Sequence, residues 1–142
     1  MILSQVRTTI RDLIIELGYT EWTGFLSEEV PETILEQTFH VGVTSGVGNG
    51  INMHVLPVEN RVVLTLWKKG YRNAVEAQDA GLTTIQEIMC HLLNPITRTR
   101  PAYRKIGFDS YDLLPIDLDN DSICKITMNL TVEVIVEVTQ SV

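Results

Sequence analysis

The residues nearest to a known chemical pattern are three aspartates at alternate positions, Asp117, Asp119 and Asp121. They match the first three ligand positions of a calcium loop. Such a loop needs glycine at its sixth position for a sharp turn and glutamate at its twelfth as a two-oxygen ligand. Ser122 and Met128 stand there instead. The pattern fails, and Asp119-Asn120-Asp121-Ser122 reads as a turn. Gly46-Val47-Gly48-Asn49-Gly50 fails as a dinucleotide fingerprint, because Ile51 to Val55 reads as extended chain rather than helix. It lacks the Gly-Lys-Ser/Thr of a nucleotide-triphosphate loop as well. It reads as a mobile loop between strands whose sharper role is a contact loop, carried by Gly46, Gly48 and Gly50, that orders on assembly.

The histidines are His40, His54 and His91. No HExxH places two of them on one helix face, and no GxSxG supplies a serine nucleophile. Cys90 and His91 are chain neighbours, which point about 100° apart on a helix and so form no nucleophile pair. Cys90 and Cys124 lack partners at metal-ligand spacing and read as free, buried thiols. No catalytic, cofactor-binding or metal-binding residue is expected. The richest charged stretch is 96–105, which holds Arg98, Arg100, Arg104 and Lys105 around Tyr103. It could touch phosphates. It could equally meet acidic loops of a neighbouring subunit, for which Glu28, Glu29, Glu32 and the aspartates of 109–121 are available. A solvated loop is the plain alternative. With 11 basic and 18 acidic residues the net charge is −7, which favours the protein partner.

The same charge repels nucleic acid and anionic lipid in general, and would suit the wall of a channel through which DNA slides without sticking. At 142 residues the chain is expected to form a single domain, 1–142. An apolar fraction of 44% suffices for a core, and a charged fraction of 20% argues against disorder. The N-terminal stretch lacks the pattern of a signal peptide, and no run of about 18 apolar residues is long enough to span a membrane. The expectation is a soluble protein made in a reducing cytoplasm.

The elements that position these groups follow from periodicity. Ile2, Val6, Ile10, Leu13 and Leu17 predict a helix over 2–17 that stops at Gly18. Residues 19–37 read as a surface connection. Phe39, Val41 and Val43 alternate with His40, Gly42 and Thr44 as a strand. A second extended segment runs from Ile51 to Leu56, and another strand from Arg61 to Trp67. Helical pattern returns in two pieces, each fitting a capping box, Asn73 with Glu76 and Thr84 with Glu87. Gly81 lies between them as a break or a weak point. Ile106, Phe108, Leu114, Ile116 and Leu118 share even parity as a strand, and Pro115 within it argues for a sheet edge or a bulge.

From Cys124 to Val138 every even residue is apolar, whereas the odd ones are polar except Ile135. This is a strand with one buried and one wet face. Fifteen residues span roughly 50 Å at ~3.3 Å each. A compact chain of this length is only about 37 Å across. A strand that regular curls or overruns its own domain, and an overrunning apolar face needs a partner such as another copy of the chain. The predicted class is α+β: a four- to five-stranded mainly antiparallel sheet with two main helices packed on one face, in the order α-β-β-α-β-β. The last third is a long hairpin.

In this order of elements the chain resembles the tail terminator (tail completion, minor tail) proteins of long-tailed bacteriophages. The resemblance rests on the opening helix MILSQVRTTIRDLIIEL and the middle unit RVVLTLWKKGYRNAVEAQDAGLTTIQEIMCHLL. It rests also on the closing pair IGFDSYDLLPIDL and SICKITMNLTVEVIVEV. It implies a non-enzymatic virion subunit that forms a homo-oligomer, a hexameric ring. The ring would cap the tail tube, end its polymerisation and offer its other face to the head connector or a completion protein. DNA would pass through the lumen without specific binding. No cofactor and no membrane contact are implied. The location would be the head-proximal end of the tail, after assembly in the host cytoplasm. Candidate contacts are Arg98, Arg100, Arg104, Lys105, Gly46, Gly48, Gly50 and Ile135. The alternatives are another head–tail joining or neck protein, and a small α+β ligand-binding domain or enzyme.

Overall fold

The computed structural model describes residues 3–24, 36–48, 50, 54–70, 73–94, 105–118 and 121–137. Its elements are α1 (Ser4–Ile15), β1 (Thr20–Glu21), β2 (Thr38–Gly48), β3 (Val55–Gly70), α2 (Ala74–Leu93), β4 (Lys105–Leu118) and β5 (Asp121–Glu137). The strands form one sheet in the order β1-β2-β3-β5-β4. All pairings are antiparallel except the short parallel contact of β1 with β2. The architecture is the expected α+β class with helices on a mostly antiparallel sheet, plus one two-residue strand, β1, that the sequence pattern does not announce.

The alternation in β5 holds. Cys124, Ile126, Met128, Leu130, Val132 and Val134 are buried. All but Cys124 join one cluster with Val6, Ile10, Leu13 and Ile14 of α1, with Ile85, Ile88 and Leu92 of α2, and with Leu64 and Leu66 of β3. Both helices therefore lie on the same side of the sheet, here the inner face. The hairpin of β4 and β5 is also as expected, with Leu118 opposite Asp121. β5 is flanked on its other side by β3, which pairs with it over a longer stretch than β4 does, from Val55 opposite Glu137 to Gly70 opposite Ser122, without a shift.

Three boundaries differ from the periodicity reading. Residues 45–48 are not a loop but the end of β2, paired with Arg61, Asn60, Glu59 and Val58. The extended segments expected at 51–56 and 61–67 are, where described, one strand running through Pro57. Proline is accommodated because the last β2 partner is Gly48 opposite Val58, so no described strand flanks β3 on that side at Pro57. Finally, α1 ends at Ile15 rather than Leu17, and Gly18, at φ 97°, donates its N–H to the Ile15 carbonyl.

α2 is one helix. Asn73 caps it as expected, its side chain accepting from the Glu76 N–H at 2.9 Å. Thr84 is no cap, because its hydroxyl donates to the Ala80 carbonyl within the helix at 2.9 Å. Gly81 is neither a break nor a weak point but a close approach. A Cβ there would stand 3.1 Å from Leu113 Cδ2 and 3.5 Å from Cys124 Sγ. The missing side chain lets α2 settle onto β4 and β5.

Two stability effects follow. Asn73→Ala should cost about 1 kcal/mol by removing the cap. Gly81→Val should cost about 1–3 kcal/mol by overpacking against Leu113 and Cys124. Urea midpoints read both, and a stabilised Gly81→Val protein would refute the close-approach reading.

Candidate assembly surfaces

The register lays residues of the four long strands in level rows across the sheet. Val47, Glu59, Glu133 and Lys105 form one row, and Val43, Val62, Leu130 and Phe108 another. Close to the second row, on either side of it, each flanking strand carries one extra residue. The irregularity in β2 lies between Val43 and Ser45, and that in β4 between Phe108 and Ser110. β3 and β5 have none. An extra residue bends its strand and reverses which face later side chains meet.

On β4 that reversal overturns the even-parity reading. Ile106 and Phe108 match inward residues of β5, but beyond Asp109 it is Leu113, opposite Ile126, that packs against the core. Leu114, opposite Lys125, is 58% exposed. On β2 the same shift turns Gly46 and Gly48 inward and leaves Val47 outward and 61% exposed. Gly46 and Gly48 belong to a paired strand rather than to a mobile loop. Gly46 stands over buried Asn60, where a Cβ would come within 3.1 Å of Oδ1. Asn60 in turn donates to the Val58 and Val132 carbonyls, which satisfies its buried amide. Gly50, at φ 132°, lies just beyond β2.

The outer face near the free end of the sheet is polar. Glu59, Lys105, Gly107, Asp109, Thr131 and Glu133 line a shallow depression of about 170 Å³. Thr131 donates to Asp109 Oδ2 at 2.6 Å, and Asn129 to Ser110 Oγ at 3.0 Å. Lys105 opens β4 opposite Glu133, so of the four basic candidates it is the one that the structure places, and it neighbours carboxylates. Arg98, Arg100 and Arg104 lie outside the described residues. Ile135 sits half-buried on the outer side of β5, opposite Pro57.

The remaining chemical candidates stay apart. His91, on α2, meets Glu16 Oε2 at 3.0 Å and ties the two helices together. Cys124 is buried, and burial raises its thiol pKa, which keeps it protonated. Cys90 is exposed, contrary to the buried-thiol expectation, because it falls on the α2 side away from the sheet. Among the described residues no group of three or more His, Cys, Asp or Glu could hold a metal ion, and no helix is long and apolar enough to cross a membrane.

Among the described residues, no strand flanks either side of the sheet over matching levels. On the β2 side, β1 covers Thr38 and Phe39. Every residue from Val43 to Gly48 is exposed. On the β4 side, Pro115 lies opposite Cys124, at the β1 end of the sheet, and Lys105–Asp112 lie toward the other end. Exposed apolar side chains cluster there too: Val43 at 40% on β2, Tyr111 at 44% on β4. Pro115 pointed to an edge or a bulge in β4, which is the last strand of the sheet, but sequence reasoning missed the β2 edge, because glycines erase the alternation there.

His40, half-buried on the outer side of β2, has its pKa lowered from 6.5, first by burial and then by Arg7, against a raising effect of Glu21. A lowered pKa means that the unfolded chain binds the proton more readily. Stability should therefore fall as pH drops from 6.5 toward the lowered value, and His40→Gln should lose less stability over that interval. Urea midpoints at pH 7.5 and 5.5, compared between the two proteins, measure it; equal losses would show that His40 has no part.

Compared with protein-family models and with curated proteins, the chain matches none.

Proposed function

We propose that this chain is a structural subunit that closes into a ring through its sheet, and that the ring is a tail terminator of a long-tailed bacteriophage. The observation that carries the reading is the mismatch of lengths. β3 and β5 have 16 and 17 residues, roughly 50 Å at ~3.3 Å per residue. α2 has 20 residues and α1 has 12, roughly 30 Å and 18 Å at ~1.5 Å per residue. The central strands are longer than either helix, and the six residues from Val43 to Gly48 stand exposed at the β2 edge, although Val58 and Val134 at their level are buried. A long strand edge with exposed valines is what a neighbouring subunit would cover.

Six such subunits would cap the tail tube, end its growth and present the opposite face to the head connector or a completion protein. The net charge of −7 supports a lumen that DNA traverses without specific binding. No cofactor or reaction enters this role. The resemblance in element order supplies the identity of the ring, and the site of action would be the head-proximal end of the tail.

A deletion mutant tests the role by electron microscopy. Overlong tails without heads are expected. Full heads that leak DNA would move the protein to the neck, as a head-joining component. Normal-length tails joined to heads would sink both readings.

A further inference from the structure

We propose that adjacent copies join edge to edge, the open β2 strand of one copy pairing antiparallel with the first half of β4 in the next. The inference rests on the ring reading and specifies the contact within it.

An open strand edge exposes unpaired N–H and C=O groups, and proteins that keep such edges apart blunt them with charge, proline or a covering segment. Among the described residues, the covering strand and the proline lie at one end of the sheet, whereas the open part of β4 carries Lys105, Asp109 and Asp112. β1 covers Thr38 and Phe39 on one flank, and Pro115 removes a donor on the other. Toward the other end, β2 from Val41 to Gly48 contains no proline and no charged residue. Lys105–Asp112 of β4 lies level with it. Both open stretches are therefore at the same height on opposite flanks.

Strand direction fits a head-to-tail joint. β2, β3, β5 and β4 are successively antiparallel, so β4 runs opposite to β2. A copy placed beside the first, in the same orientation, meets it with an antiparallel edge and needs no inversion. The contact is between two different edges, which is the heterologous kind that closes rings. It also places like with like. Val43 is level with Phe108 and two rows from Tyr111, and all three fall on the inner face. Pairing would bury Val43 and Tyr111, which are exposed in the single chain. The extra residues near Thr44 and Asp109 lie near one level, so the ladder would divide around them rather than collide with one.

Two experiments test the joint. The first places lysine at Val43 and Val47, both exposed, so the fold should survive, as checked by its thermal melt. Assemblies seen by native mass spectrometry should be reduced to monomers, whereas lysine at Ile15, exposed on α1, should leave them intact. The second uses Cys90→Ser protein carrying Val43→Cys with either Phe108→Cys or Tyr111→Cys. Within one chain these sites are separated by three strand spacings, about 14 Å, beyond the ~7 Å limit for a disulfide. Oxidation should therefore give a ladder of covalent oligomers. Rings that persist in the lysine variant, or concentrated protein that gives no ladder, would overturn the edge pairing and leave the ring reading standing. Dimers formed by Val43→Cys alone would overturn it in favour of a symmetric β2–β2 contact. A ladder of open chains, with normal tails in the deletion mutant, would keep the joint and sink the ring.

Discussion

The unbroken pairing of β3 with β5 is the constraint on which the other features depend. From Val55 opposite Glu137 to Gly70 opposite Ser122 the register never slips. Every inward residue of β5 thus has an inward partner on β3, such as Leu64 beside Met128 and Leu66 beside Ile126. A slip of one residue would turn that whole apolar set to the wet face, so burial itself locks the register. A truncation such as Leu130→Ala would remove a contact at the centre of this seam, a type of change that costs about 2–5 kcal/mol.

A rigid central pair obliges the flanking strands to absorb the irregularities. β2 and β4 each take an extra residue at nearly the same level, on either side of the row Val43–Val62–Leu130–Phe108. The consequence is chemical as well as geometric. Beyond those points β2 turns glycines inward and a valine outward, and β4 turns Leu113 inward and Leu114 outward. The two ends of the sheet therefore differ in what they offer a neighbour. One is closed by α1, α2 and β1; the other keeps bare strand edges and a polar outer face.

The chemistry-bearing residues fit this division. His91 and Glu16 bridge the two helices, Cys124 lies under α2, and His40, on the outer side of β2, feels the charges of Glu21 and Arg7. They fasten the body together rather than converge on a common point. Lys105 is different. It stands at the open end, in a row with Glu59 and Glu133.

Local periodicity by itself determined the faces of α1, α2 and β5 and the hairpin that ends the chain. A side chain that recurs every two or every 3.6 residues reports its own burial wherever the strand or helix is packed. Asn73 was legible for the same reason, since a cap acts within three residues. Tertiary structure alone decided the reach of β2 through Gly46 and Gly48, the passage of β3 through Pro57, and the reversal of Leu113 and Leu114. Glycine has no side chain to mark a face, and proline is admissible only where a neighbouring strand has ended. An extra residue in a strand can be counted only against the partner opposite. The open β2 edge belongs to this second group, because an edge is defined by the strand that is not beside it; on β4 Pro115 had already marked an edge or a bulge.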